Sequence, residues 1–495
     1  MQYLKISTIC FYLFSFSMVA FATIPTIKIT TQNGSDVTEK SYYVMNMELM
    51  DSDNPVNNLS KTGNVDSIKV RGNSTAGVSK KPYRIKFDKK TSLFELPEAK
   101  SWVLLANYYD NTQILNALAF ELGKRLGLEF NPDYRFVDVY INNSYKGIYL
   151  LCDQIQVNEN RVNISKTEGW LIEFDYHAPE SDEIRFQWLW NGLNNKDSLG
   201  TFVKSPEFDD PRSANIDWIK KDLDDLSTKM FASDFPENGY RDLVDLEAMA
   251  KYIMIQKFLD NFDFNSQVQN GYLPGSNFHY KDVGGKITAG PLWDFDLSAG
   301  ILFSGFSPEH FTTTGDDNHH NMIPTHSYYK RFFDDPVFLA KWKKLWDAHQ
   351  TDFNNLGAFI DSIATYLEPS IMNNFNVLSS GGGGGGGWGG FGGATYPSSY
   401  ESYKTDQVNK LKTWLTARQS FFNTKIDAMN IDVSKDIITS VPFNSKLELK
   451  NISHDLPLYY SVKGHRLGHV KPVHSGIYYV KKGSTFEKIT ILGLE

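Results

Sequence analysis

Cysteine is nearly missing from this 495-residue chain: Cys10 and Cys152 are the only two. Cys10 falls in an N-terminal stretch expected to be removed, so the mature protein has no intramolecular disulfide and relies on packing and hydrogen bonds. An excess of positive charge is missing too. The formal net charge of −8 excludes a nucleic-acid binder that depends on bulk positive charge, although a local basic groove can still hold phosphates. Charged residues, at 22%, are too few for general disorder, and 41% hydrophobic and 14% aromatic residues fit a chain that folds. No later segment is apolar enough to span a bilayer, so no stable membrane span is expected.

The chain opens with Lys5, an apolar stretch from Ile9 to Phe21, and Ala20-Phe21-Ala22 as a small-x-small cleavage site. Residues 1–22 read as a signal peptide cleaved near Ala22, giving a secreted or cell-surface protein that passes through the secretion machinery. A membrane anchor is the competing reading, against which the stretch is short and contains Ser15 and Ser17.

Residues 25–60 alternate and turn like strands. In "SIKVRGNSTAGVSKKPYRIKF" (67–87), Tyr83, Ile85 and Phe87 fall on one strand face and Arg84 and Lys86 on the other, after a polar glycine-containing loop. The spacing of Ile114, Leu118, Leu122 and Leu126 predicts a helix over 112–127, and 135–157 reads as two strands joined by a turn around Asn142 to Gly147. Helical periodicity returns over 242–260, 335–367 and 401–426, so the later half is expected to be mostly helical. The result is an α+β fold with a β-rich lobe, a helical lobe and a cleft between them. Residues 381–394 are glycine-rich and read as a surface loop. From 432 to 495 the chain predicts a separate small β module. Its strands resemble the C-terminal sorting modules of secreted Bacteroidota-type proteins; an ordinary accessory β domain is the alternative.

The chemistry concentrates in "GPLWDFDLSAG" (290–300), where Asp294 and Asp296 sit in an apolar, aromatic run. Buried carboxylates need a metal, a basic partner or a helix N-terminus, and an Asp-x-Asp pair offers hard oxygen ligands to a divalent cation. Strand alternation would put both aspartates on one face and Trp293, Phe295 and Leu297 on the packing face. Upstream "DNFDFN" adds Asp263. A glycine-containing loop, strand lysine, helix glutamate, loop Asp-plus-Asn and a final aspartate are, in that order, the parts phosphoryl transfer uses.

"RGNST" with "KKPYRIKF", "SWVLLANYYD", "NALAFELG", "YRFVDVYIN", "GIYLL", "HYKD" and "GPLWDFDLSAG" together resemble the CotH kinase family, atypical protein kinases related to a spore coat protein, over about 25–430. The resemblance implies a divergent protein-kinase-like two-lobed fold, ATP with Mg2+ or Mn2+, and protein substrates phosphorylated on Ser or Thr hydroxyls. Asp294 matches the family's metal-binding aspartate, with Asp296 assisting or anchoring the loop. Asp263 of Asn261-Phe262-Asp263 is the implied catalytic residue that orients the acceptor hydroxyl. An apparent insertion, "SQVQNGYLPG", leaves Asn277 as the second metal-binding side chain, with Asn265 as its rival.

Lys86 is the expected phosphate-contacting lysine, paired with Glu121 or leaving Glu121 in a surface salt bridge. Lys80 and Lys81 are read as solvated loop charges. Arg71 and Asn73 either contact the nucleotide or stabilise the turn, and Asp153 stands where the family commonly has glutamate. His319, His320 and His326 read as solvated rather than as a second metal site. Two rivals remain: a catalytically inactive kinase-fold protein that binds a surface or coat, and a carbohydrate-active enzyme, which lacks a recognisable pair of hydrolytic carboxylates.

Overall fold

The fold comes from a computed structural model, which describes residues 23–179, 183–189, 198–208, 214–268, 271–304, 307–315, 320–380 and 396–436, and four strands beyond 437. The expected signal peptide and the glycine-rich segment lie outside the described residues. Strand patterning dominates the first part. β1 (Thr26–Thr31), β2 (Tyr43–Met50), β3 (Leu59–Val70), β4 (Tyr83–Thr91), β5 (Ala99–Leu105), β6 (Tyr134–Ile141) and β7 (Ser144–Asp153) close into a barrel of order β1-β2-β3-β4-β5-β7-β6. Closure is parallel, β1 on β6; the other pairs are antiparallel. Asn142 and Asn143 both have positive φ, 49° and 63°, the two-residue turn whose twist suits a hairpin between β6 and β7.

The predicted alternation of β4 is observed: Tyr83, Ile85 and Phe87 are buried, Arg84 is half-buried and Lys86 is exposed. β5 and β7 bury both faces. Trp102, Leu104, Tyr149 and Leu151 fill the barrel, while Val103, Leu105, Ile148 and Leu150 share a second core with Leu115, Leu118 and Leu122 of α1 (Leu115–Arg125). Each such side chain contributes about 1.5–3 kcal/mol by leaving water, so α1 is fixed firmly against the barrel.

The later half departs from expectation, because a second sheet is built into it. β8 (Trp170–Phe174), β9 (Ile184–Leu189), β10 (Ser198–Ser205) and, after the hairpin β11 (Ser266–Val268) and β12 (Gly271–Leu273), β13 (Asn277–Lys281) and β14 (Thr288–Ala289) make a five-stranded sheet of order β14-β13-β8-β10-β9. β8, "WLIEF", is buried along its whole length, so it lacks the alternation that marks a strand. A short hairpin, β15 (Leu302–Ser304) with β16 (Ser307–Glu309), follows.

After β10 come the helices α2 (Asp217–Phe231), α3 (Leu246–Phe258), α4 (Ser327–Arg331), α5 (Pro336–Ala348), α6 (Gln350–Asn354), α7 (Leu356–Ser380), α8 (Tyr400–Tyr403) and α9 (Asn409–Ala428), and α7 bonds β6 and β7 of the barrel through Ser370 and Asn374. The side chain of Asp245 caps α3 by accepting from the backbone of Glu247 and Ala248. A second unit begins at Ile438. Its described residues form an antiparallel sheet of order β18-β17-β19-β20, from β17 (Leu458–Ser461), β18 (Arg466–Gly468), β19 (Gly476–Lys482) and β20 (Thr485–Ile491).

Candidate functional site

Residues 291–297 are not a strand but an irregular loop, which corrects the face assignment made from alternation. Asp294 has φ 61°, the left-handed region that aspartate tolerates better than most residues. The turn is held from two sides. Asn116 of α1 accepts from the Phe295 backbone N–H at 2.8 Å, and Asn261, just past α3, donates to the Asp294 carbonyl at 3.2 Å. Trp293 and Phe295 are buried, as expected of packing residues, and Trp293 has a second task. The Arg71 guanidinium lies 5.2 Å over its ring, a cation–π contact that parks this cation beside Asp294.

The electrostatics are those of an acidic centre short of positive charge. Burial raises the Asp294 pKa, Arg71 opposes the rise, and Asp175 adds to it. Asp296 is pushed well above the ordinary carboxylate range by burial and then by Asp294, Asp263 and Asp110. Ser276 Oγ donates to Asp294 Oδ2 at 3.4 Å.

Asp263 begins a 3-10 turn, Asp263–Asn265, beyond α3. One neighbouring side chain ties it to the aspartate loop: Asn261 Oδ1 accepts from the Asp263 backbone N–H at 3.2 Å, while Asn261 Nδ2 serves Asp294 O and Gln256 Oε1. Asp263 is therefore a neighbour of Asp294 and Asp296, which lie 31 and 33 residues further along the chain. Asn277 is engaged elsewhere. It is fully buried, its Oδ1 accepts from Tyr252 Oη at 2.9 Å and its Nδ2 donates to Gly275 O at 2.7 Å, so both ends of the amide are used in bracing β13. The side chain of Asn265 lies outside the described residues.

Lys86 and Glu121 do not pair. Lys86 is exposed, 5.7 Å from the Tyr42 ring, and Glu121 bonds Arg125 one helical turn on, at 2.8 Å. Arg84, on the same strand face and nearer the loop, donates to Ser101 Oγ at 3.1 Å and adds its charge to the field at Arg71. Burial lowers the Arg71 pKa, while Asp294 pulls it upward. Arg71, rather than Lys86, is the cation placed beside Asp294. The loop after it needs Gly72, whose φ is 86° and where a Cβ would lie 2.5 Å from Thr75 Oγ1. Asn73 is exposed on this loop. Ser74 hydrogen-bonds the side chain of Tyr109, and the Tyr109 backbone bonds Asp296, so the loop reaches toward the aspartates.

Lys80 corrects the solvated reading most sharply. It is buried, and its ammonium donates to Ala106 O at 2.7 Å, Ile148 O at 2.6 Å and Gln113 Oε1 at 3.1 Å. Lys81 is half-buried and donates to Ala76 O at 2.6 Å. His320 and His326 are buried rather than solvated: His320 pairs with Asp260, and His326 caps α4, with its pKa lowered to about 4 by burial. His319 lies outside the described residues. Asp153 forms an ion pair with Arg161 at 2.9 Å and is raised to about 7, chiefly by burial.

Several residues here escaped sequence reading. Glu173 and Asp175, at the end of β8, have the same two-residue spacing as Asp294 and Asp296, a signal that was available. Asp175 accepts from the backbone of Tyr176, His177 and Ser276, and Tyr176 reaches Asp263 with its hydroxyl at 3.5 Å. Two cavities, of about 330 Å³ and about 440 Å³, lie beside the end of α1, and neither is lined by the three aspartates.

Among the described residues no group of three or more His, Cys, Asp or Glu side chains is placed to hold a metal ion by itself. Magnesium in phosphoryl-transfer sites is characteristically held by one or two carboxylates together with substrate phosphates. The buried, under-compensated oxygens of Asp294 and Asp296 fit that role. A family model described as CotH kinase protein matches residues 68–422. No curated protein matches the chain.

Proposed function

The chain belongs to the CotH kinase family, and from that premise we propose that it is a secreted or cell-surface protein kinase, using ATP with Mg2+ or Mn2+ to phosphorylate Ser or Thr hydroxyls of extracellular or surface proteins. Family membership makes it a kinase-like protein; the single observation that carries the catalytic reading is the Asn261 side chain, which holds the peptide units of Asp263 and Asp294 together. In this reading the barrel is the nucleotide lobe, and α3 onward supplies the catalytic lobe.

Asp263 accepts the proton of the attacking hydroxyl. Asp294 and Asp296 would hold the divalent ion, which when bound would neutralise charge on the phosphates. Arg71, seated on Trp293, faces the transferring group, and Asn73 and Ser74 lie on the loop that covers it. Export rests on the N-terminal pattern, and among the described residues no helix is long and apolar enough to cross a membrane.

One observation favours a second reading, a catalytically inactive kinase-fold protein that binds a surface or coat: the Lys86–Glu121 pair is not formed. A labelled-ATP transfer assay separates the two. We expect transfer to an added acceptor protein such as casein, reduced about 10²–10⁴-fold in Asp263→Ala and lost in Asp294→Ala. Undiminished transfer in both variants contradicts the site, and nucleotide binding without transfer selects the inactive reading.

A further inference from the structure

Tyr176, which follows β8, is 42% exposed, and its hydroxyl donates to Asp263 Oδ1 at 3.5 Å. The backbone beneath it is fixed. Asp175 Oδ1 accepts from the N–H groups of Tyr176 at 2.6 Å and His177 at 3.0 Å, and Asp175 Oδ2 accepts from Ser276 N–H at 2.9 Å. Gly275 lies against the ring, since a Cβ there would come 2.8 Å from Tyr176 Cε1. Gly275 N–H donates to the Asp263 carbonyl at 2.6 Å, and the next residue, Ser276, donates to Asp294 Oδ2 at 3.4 Å. The phenol ring thus packs on the short link between the proposed base and the proposed metal ligand, with its hydroxyl on the carboxylate of the base. A phosphate acceptor has to bring its hydroxyl to that carboxylate.

We propose that Tyr176 is a phosphorylation site that the protein modifies within its own molecule. This rests on the transfer activity proposed above. Tyr176 Oη forms a bond to the γ-phosphorus of ATP, and its proton passes to Asp263 Oδ1. The bond from that phosphorus to the β,γ-bridging oxygen breaks, and ADP leaves with that electron pair. The phosphotyrosine carries about −1.5 to −2 charges at neutral pH. Repulsion from Asp263 moves it away and opens the position to an incoming protein hydroxyl.

The test incubates the full chain, first treated with phosphatase, with ATP, Mg2+ or Mn2+ and casein, and maps the modified residues by mass spectrometry. The expected result is phosphotyrosine at 176, forming at a rate per molecule that does not change on dilution, absent in Tyr176→Phe and reduced about 100-fold in Asp263→Asn. Transfer to casein with Tyr176 unmodified overturns this proposal and leaves the kinase reading standing. A rate per molecule that falls on dilution overturns the intramolecular step. Transfer to neither overturns both.

Discussion

Asp296 is where burial and charge conflict most at the scale of single residues, because its carboxylate is enclosed with three other acids in its field. Replacing it with asparagine removes that conflict while keeping shape. Asp296→Asn should raise the melting temperature of the metal-free protein, since burial and the neighbouring acids already disfavour its charged form, and should lower phosphate transfer. A melting curve and a transfer assay on one preparation check both halves.

Lys80 gives a pH signature elsewhere. Burial lowers its pKa from 10.5 to about 7, so between those values the unfolded chain holds a proton that the folded chain has lost. Stability must therefore rise with pH from about 7 toward 10.5 as far as Lys80 contributes, and the cost of burying its charge is greatest below that window. Urea titrations across the window should show this slope flattened in Lys80→Met. That variant should also lose about 1–3 kcal/mol, through the orphaned carbonyls of Ala106 and Ile148. Nothing local marks this burial, since the acceptors lie 26, 33 and 68 residues further along the chain.

At the scale of elements, β4 and α1 were legible because their periodicity is local: a two-residue repeat in one, a three-to-four residue repeat in the other. The aspartate loop was not. Its Asp-x-Asp spacing imitates a strand, and only the left-handed backbone at Asp294, held between Asn116 and Asn261, shows that it is a turn. Of the two readings of Glu121 the salt bridge holds, because a helix offers a carboxylate its own cation one turn away, and Arg125 supplies it.

The loop after β3 carries the prediction at this scale. Gly72→Ala adds a Cβ where the backbone is left-handed and Thr75 is already in contact, so the loop must refold, displacing Arg71. The KM for ATP should rise about tenfold, equivalent to about 1.4 kcal/mol, and the melting temperature should fall, reflecting the cost of about 1–2 kcal/mol for a left-handed Cβ. An unchanged KM would detach this loop from the nucleotide.

Across the whole molecule, the order of motifs identified the family before any fold was known, whereas the location of the second sheet did not follow from the sequence. That sheet decides much of the site: β8 delivers Asp175 and Tyr176, and the link before β13 delivers Gly275 and Ser276, so residues some 100 positions apart meet beside Asp263 and Asp294. Sequence reading found the three aspartates from their local motifs, but only the fold shows that a single asparagine joins two of them. The central claim, that Asp294 holds the metal and nucleotide while Asp263 serves the acceptor, is tested most directly by the melting temperature with ATP and Mg2+, compared among the unmodified chain, Asp263→Asn and Asp294→Asn. The first two should gain about 2.7 kcal/mol of stability when ATP–metal is about 100-fold above its Kd, and Asp294→Asn should gain little at the same concentrations. Equal stabilisation of all three, or its loss in Asp263→Asn with retention in Asp294→Asn, would contradict the account.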